Sequence, residues 1–289
     1  LINIPIFTDD PGWHGAQLKR AFAHRGVDSF FLSLQDCLLD FSGKVAQIRI
    51  PTLQDTPKAV FVRGVTGGTL PQVITRLNVL HMLKLQGVLV YNDGRAIERT
   101  VDKAMTSFLL QQAGIATPKT WVCESRQQAH AIMQTQSKLV IKPLFGSQGK
   151  GVRLVDKTHL PLPMDCFVDG VFYLQEWLAA PHDYRVFVVN GQVLAAMKRT
   201  GEDWLHNVAQ GARCEQTDEP DVLAIALQAA SVLEIAYCGV DVIRDENGQL
   251  SVLEVNSIPA WRGLQSVVAV DVAQALVDDF LSQMNERGE

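Results

Sequence analysis

The stretch Leu139-Val140-Ile141-Lys142-Pro143-Leu144-Phe145-Gly146-Ser147-Gln148-Gly149-Lys150-Gly151-Val152-Arg153-Leu154 constrains the fold more than any other. Apolar and β-branched residues lead into a lysine, a glycine-rich loop follows, and a second apolar run opens at Val152. That order predicts strand, loop, strand. Gly146, Gly149 and Gly151 permit positive φ and a close approach of backbone to ligand. Successive backbone N–H groups in such a loop, Ser147 among them, can cradle phosphate oxygens. Lys142 would stand beside them as a fixed positive charge. An ordinary glycine-rich hairpin with a surface lysine fits these residues about as well. The loop is not a Walker A motif, since no Gly-Lys-Ser/Thr closes it, and the strand after it excludes the dinucleotide fingerprint.

A second pattern lies near the carboxyl end. Gly239–Arg244 and Leu250–Asn256 are apolar runs separated by Glu246-Asn247-Gly248, and Asn-Gly is a strong hairpin signal. Residues two apart in a strand share a face, so Glu254 and Asn256 point together and Asp241 can join them from the neighbouring strand. Two carboxylates and an amide oxygen are a hard-oxygen set suited to Mg²⁺. Without a cation, two carboxylates in apolar strands repel and are costly to ionise. A pair of solvated edge-strand acids is the plainer reading of the same residues.

A phosphate loop and an acidic hairpin in one chain point to a nucleoside triphosphate. At this point the sequence resembles the ATP-grasp superfamily, and within it the RimK-like branch of carboxylate–amine ligases. The resemblance is carried by Ala96–Lys103, the Lys142 loop, Gln175-Glu176-Trp177-Leu178, Asp183-Tyr184-Arg185, Lys198-Arg199, Asn207 and Glu254-Val255-Asn256-Ser257-Ile258-Pro259, in the family's order. It implies an ATP-grasp fold, in the α/β and α+β classes. A parallel α/β domain (1–97) would precede a central lobe (98–180) and a metal-bearing lobe (181–289), the two lobes clamping ATP.

The resemblance also assigns roles. Glu176 and the backbone at Trp177 and Leu178 would read adenine, after Gln175. Asp183 would lie near the ribose, with Arg185 on the same face of its strand. Arg199 would hold the transferred phosphate, and Asn207 would lie near phosphates and metal. Lys103 and Lys142 would spread the triphosphate charge. Lys103 has a reason of its own: a cation in the first turn of a helix opposes the helix dipole, so phosphate binding accounts for it better than helix stability does. Arg199 and Lys142 are the expected catalytic cations, and Asp241, Glu254 and Asn256 the ligands of two Mg²⁺ ions, with Mn²⁺ as a substitute.

Bulk properties limit the alternatives. The chain has 289 residues, 47% of them hydrophobic, which allows two or three compact units. A net charge of −5 argues against a general nucleic-acid binder. No apolar run approaches a membrane span and no signal peptide is visible. Cys37, Cys123, Cys166, Cys214 and Cys238 are scattered, odd in number and form no Cys-x-x-Cys pair. Free thiols in a reducing cytoplasm are the expectation. The seven histidines lack metal-ligand spacing, and His14, His182 and His206 read as surface or packing residues.

The first hundred residues alternate strand and helix, as a parallel sheet does. Strands are expected at Ile2–Phe7, Asp28–Leu34, Lys58–Val62 and Gly87–Tyr91, with helices at Trp13–His24 and Pro71–Leu85. Ligands of such sheets bind beyond the carboxyl ends of the strands. Thr8–Gly15, with Trp13, and Arg63–Thr69 are the loops at those ends. Arg63 there could hold a carboxylate or phosphate of a substrate, or be an ordinary exposed arginine. Further on, a helix is expected at Asp221–Tyr237 and a last one from about Val270 to Asn285.

The loop Ser257-Ile258-Pro259-Ala260-Trp261-Arg262 departs from the Ser-Pro-Gly of relatives that modify a ribosomal protein. With Trp13 and Arg63, Ser257 and Arg262 are the expected acceptor contacts. Lys198 stands where many relatives have an acid. The family chemistry implied is ATP-dependent amide formation through an acyl phosphate. L-Glutamate is the expected amine and a small-molecule carboxylate, such as a tetrahydromethanopterin-type pterin, the expected acceptor. A protein C-terminus or an amino-acid carrier as acceptor, and a phosphotransferase without amide formation, are the alternatives. Dimers or tetramers are common among similar proteins.

Overall fold

The computed structural model describes residues 3–145, 151–162, 170–201 and 211–287. The chain begins β1 (Asn3–Phe7), α1 (Gly12–His24), β2 (Asp28–Leu32), β3 (Leu38–Asp40), β4 (Gln47–Arg49), β5 (Ala59–Val62), α2 (Leu70–Leu85), β6 (Leu89–Tyr91) and α3 (Gly94–Val101). It continues α4 (Lys103–Gln112), β7 (Thr120–Cys123), α5 (Arg126–Thr135), β8 (Lys138–Lys142), β9 (Arg153–Asp156), β10 (Phe172–Glu176), β11 (Asp183–Val189) and β12 (Gln192–Thr200). It closes with β13 (Arg213–Gln216), α6 (Pro220–Val232), β14 (Tyr237–Arg244), β15 (Leu250–Asn256), α7 (Arg262–Gln265) and α8 (Val272–Glu286).

These elements form two compact units. The first comprises residues 1–97, 235–237 and 257–289, the second 98–234 and 238–256. The division differs from three consecutive segments. The last thirty or so residues return to the first unit because α8 packs on α1.

In the first unit the sheet order is β2-β1-β5-β6, every pair parallel, with Ile6 opposite Phe61 and Val60 opposite Val90. Its strands are almost entirely apolar because both faces are covered. Phe22, Phe61, Tyr91, Tyr237 and Phe280 pack edge-to-face, tilted or stacked with ring centroids 5.0 to 6.2 Å apart. The two phenols in this cluster are satisfied: Tyr91 donates to Asp279 Oδ2 at 2.6 Å and Tyr237 to the Val62 carbonyl at 3.0 Å. α2 starts with a Thr69–Gln72 capping box and has Pro71 in its first turn, where the missing N–H costs nothing.

One buried amide organises this unit. Asn92 is wholly inaccessible, and all its side-chain bonds go to backbone. Nδ2 donates to the carbonyls of Tyr237 (2.7 Å) and Ser257 (2.8 Å), and Oδ1 accepts from the N–H groups of Ala236 (3.0 Å) and Tyr237 (3.2 Å). It therefore ties together the two later visits of the chain to the first unit.

The second unit holds two antiparallel-paired sheets. One has the order β7-β10-β8-β9, with α5 against its buried face. The other has the order β13-β12-β11-β14-β15. The β11–β12 hairpin closes on Asn190-Gly191, both at positive φ (48° and 69°), as a tight Asn-Gly turn requires. α4 packs on β15, and the Val252 N–H donates to the Ala116 carbonyl at 2.8 Å.

Some expected boundaries move. The helix predicted over Asp221–Tyr237 ends at Val232, Glu234 takes φ +53°, and Tyr237 starts β14. Its apolar residues continue at helical spacing into what is a buried strand, and periodicity cannot separate the two. The β3–β4 ribbon, α3 and β13 are additions; each is eight residues or fewer. Residues 202–210, Asn207 among them, lie outside the described residues. Among those described, no helix is long and apolar enough to cross a membrane.

Candidate functional site

The second unit gathers most of the expected residues. Lys142 ends β8, opposite Tyr173 of β10. Its Nζ donates to Gln175 Oε1 at 2.6 Å. Gln175 is held in turn, its Nε2 donating to Thr120 Oγ1 (3.2 Å) and Tyr173 Oη (3.3 Å), and Tyr173 meets Ser107 at 2.8 Å. Gln175 is therefore a buried support that aims the lysine, rather than a group displayed to a ligand. Burial lowers the Lys142 pKa, and nearby Lys103 lowers it further, while Glu254 and Asp241 oppose the shift.

Lys103 is the first residue of α4. Asp102 caps that helix, accepting from the N–H groups of Ala104 (2.9 Å) and Met105 (3.2 Å). Lys103 Nζ reaches the Leu144 carbonyl at 3.2 Å, just before the glycine-rich loop. Burial depresses its pKa and Glu254 is the largest influence opposing that. Both lysines thus sit in the field of the Glu254 carboxylate. Of the loop itself Gly151 is described. It has φ +75°, and a Cβ there would come within 2.9 Å of Pro143 Cγ, so only glycine fits. Gly146, Ser147 and Gly149 lie outside the described residues, as does Asn207.

On the other sheet Asp241 and Glu254 are direct cross-strand partners, and Asn256 lies opposite Gly239. Asn256 Nδ2 donates to Glu254 Oε1 at 3.0 Å, so the two share a face. Asp241 is buried and receives Arg185 in a bidentate fork, Nε and Nη2 each at 2.7 Å, with Arg199 Nη2 at 3.2 Å. Arg199 forks Asp183, its register partner, at 2.7 and 2.9 Å. Asp183, Arg199, Asp241 and Arg185 therefore form one alternating chain of charge. Burial penalises the Asp241 carboxylate, but Arg185 and Arg199 outweigh it and hold its pKa near 2. Burial pushes Asp183 up to about 6, against the pull of Arg199, which leaves it ionised at neutral pH. For Arg199, burial is overcome by its two carboxylates and the pKa rises.

Among the described residues no three His, Cys, Asp or Glu side chains converge as a metal cluster. The acidic face instead offers two carboxylates and an amide, a set chemically fit for Mg²⁺ beside phosphate oxygens. Since guanidiniums occupy both oxygens of Asp241, Glu254 and Asn256 carry its more available donors.

After β10, Trp177 and Leu178 leave the sheet without regular structure. Glu176 is tied to Lys119, whose Nζ is 3.3 Å from Oε1, and the Glu176 N–H donates to the Lys119 carbonyl at 2.8 Å. Lys138 Nζ lies 4.7 Å from the Trp177 ring centroid.

The remaining expected residues belong to the first unit. Arg63 follows β5, and its Cζ lies 5.0 Å from the Trp261 ring centroid. Trp261 is wholly buried, so it supports the arginine and cannot itself stack on a ligand. Its N–H on the main chain donates to His14 Nε2 at 3.1 Å. That fixes Nε2 as an acceptor and the imidazole as neutral. Burial, then Arg63 and Arg262, lower the His14 pKa to about 4. Trp13, half-buried in the first turn of α1, has Arg262 Cζ 5.9 Å from its centroid. Ser257 is buried and its carbonyl is held by Asn92.

The sequence reading passes over Asn92 and takes His14 for a surface or packing residue only. A lone histidine carries no spacing signal, and Asn-Asp-Gly after a strand reads as a turn whether or not its asparagine is buried.

Comparison with known proteins places this geometry. Residues 100–280 match the model of the RimK-like ATP-grasp domain. A protein of Methanococcus maripaludis named tetrahydromethanopterin:alpha-L-glutamate ligase is 35% identical, over 99% of this chain and all of its own length. A probable alpha-L-glutamate ligase of Maridesulfovibrio salexigens is 33% identical over 69% of each chain. The ATP-grasp ligase PsnB, solved with a minimal precursor, superposes with a TM-score of 0.78 at 21% identity, covering 98% of this chain and 99% of its own. That last likeness speaks for the fold. The chain belongs to the RimK-like ATP-grasp family. It is a carboxylate–amine ligase of that family.

Proposed function

We propose that this ligase uses ATP and Mg²⁺ to join L-glutamate to a carboxylate of a cofactor-type acceptor, releasing ADP and phosphate. The observation that carries the reading is the meeting of Lys142, fixed by Gln175, with the field of Glu254 and Asp241 in one unit. The name of the Methanococcus maripaludis relative supports a tetrahydromethanopterin-type acceptor. Two Mg²⁺ ions, or Mn²⁺ in their place, would be held by Glu254, Asn256 and Asp241 and would screen the charge of the β- and γ-phosphates.

The protein's own residues do the rest. Lys103 and Lys142 bind phosphate oxygens as cations that are already desolvated. Arg199, held rigid by Asp183 and Asp241, stabilises the charge spread on the γ-phosphate as the acceptor carboxylate attacks it. The acyl phosphate so formed is opened by the glutamate amine, with phosphate as leaving group. Among the described residues of this site there is no serine or cysteine nucleophile, which suits a reaction made of positioning and charge neutralisation. Glu176, Trp177 and Leu178 are assigned to the adenine, Asp183 to the ribose side, and Trp13, Arg63, Ser257 and Arg262 to the acceptor.

Incubation of the protein with ATP, Mg²⁺, glutamate and a panel of pterin, deazaflavin, peptide and carrier carboxylates tests this. A mass gain of one or more glutamyl residues on an acceptor is expected. ADP release that needs no amine would replace the ligase reading with phosphotransfer.

A further inference from the structure

The cluster around Arg63, on the acceptor side of the reading above, has a composition that points to one kind of acceptor group. Arg63 and Arg262 bring two guanidiniums to the aromatic pair Trp261 and Trp13. The Nε of Arg63 is enclosed and has no hydrogen-bond partner, although the residue as a whole keeps some accessible surface. Among the described residues no carboxylate offsets the Arg63 charge: burial lowers its pKa, and the Tyr237 phenol opposes that. His14, the third polar group, is neutral because its Nε2 is committed as an acceptor. The cluster lies at the carboxyl ends of β1 and β5, beside the start of α1. α1 starts there without a side-chain cap. Asp10 Oδ1 lies against its first residue, 3.5 Å from where a Cβ on Gly12 would stand, and offsets the helix dipole, so Arg63 and Arg262 carry the positive charge of the site.

An arginine desolvated against an indole, lacking its anion, costs stability unless a ligand supplies the charge. The planar fork matches a carboxylate, and the apolar surround strengthens the bond.

We propose that Arg63, backed by Trp261 and flanked by Arg262, binds a carboxylate of the acceptor other than the one that is activated. The acceptor is then at least a dianion. A carboxylate locked in a guanidinium fork has its lone pairs engaged and is a poor nucleophile towards phosphorus, so the reacting carboxylate must be another. That the anion belongs to the acceptor rests on the ligase reading. That the site takes a carboxylate does not.

The test is calorimetric titration of the full chain, free of nucleotide, with glutarate and separately with inorganic phosphate, alongside ADP and Mg²⁺. Saturable glutarate binding is expected. Arg63→Met should weaken it about tenfold or more, and Arg262→Met, at an exposed position, about threefold. A circular-dichroism spectrum and thermal transition like those of the unaltered protein certify that the Arg63 variant, whose change lies in the first unit, is folded. If it does not fold, the Arg262 variant decides alone. Absence of saturable glutarate binding, unchanged affinity in Arg262→Met, or saturation by phosphate only would overturn the proposal. Glutarate binding kept in a protein that takes up no nucleotide would sink the ligase reading and leave this site standing.

Discussion

The two units treat buried arginines in opposite ways. In the second unit Arg185 and Arg199 lie in bidentate forks with Asp241 and Asp183. In the first unit Arg63 keeps some accessible surface but its Nε is enclosed, with an aromatic ring and, among the described residues, no acid paired with it. The first arrangement is complete in itself and gives rigidity. The second is incomplete and waits for charge from outside. Burial of a cation is thus uninformative until its partners are counted.

The comparison can be broken most forcefully at the lysine. Lys142→Met should lower turnover by about a thousandfold, since it removes a preorganised cation from the phosphates. Glu254→Ala should do the same by removing a metal ligand. Steady-state ADP release measures both, and near-native rates in either would remove the site from the chemistry.

Next comes stability. Asp241→Ala strands the Arg185 guanidinium and leaves Arg199 with Asp183 alone, and should cost about 3–5 kcal/mol in urea unfolding. Arg63→Met removes a buried charge that has no counterion, so it should leave stability unchanged or raise it by about 1 kcal/mol. A large loss in the Arg63 variant would mean that the two sites are alike after all.

Gln175→Leu should give a smaller change. Lys142 would lose its 2.6 Å partner, and KM for ATP should rise several-fold while turnover falls less. Equal loss in both would mean that Gln175 touches the nucleotide.

The smallest effect is a slope with pH. His14 has a folded pKa of about 4 against an ordinary 6.5, so the unfolded chain binds its proton more tightly. Its contribution to stability is complete above pH 6.5 and is lost as pH falls towards 4. The loss is about 2 kcal/mol at most once the ring's partial exposure is discounted for solvent screening. His14→Asn should flatten that part of the stability–pH curve.

Much of this was legible in the sequence because its signals are local. Alternation within β15 put Glu254 and Asn256 on one face, and an Asn-Gly pair announced the β11–β12 hairpin. The ordered motifs then gave the family. What stayed hidden depends on partners far apart in the chain. Gln175 shows itself as a support only once Thr120, Tyr173 and Ser107 are seen behind it. Trp261 belongs to the loop expected at the acceptor, yet it is buried under Arg63. The return of residues 257–289 to the first unit has no short-range signature, since helix α8 is amphipathic wherever it docks.

The tie made by Asn92 has a consequence for synthesis on the ribosome. The parallel sheet emerges before both sheets of the second unit, but its aromatic cluster lacks Phe280, and its amide lacks Ser257, until those have been made. A sheet translated before them is therefore sealed after them. A nonsense mutation near residue 270 would damage this parallel sheet more than the sheets translated between, and a protease acting on such a product should cut there first.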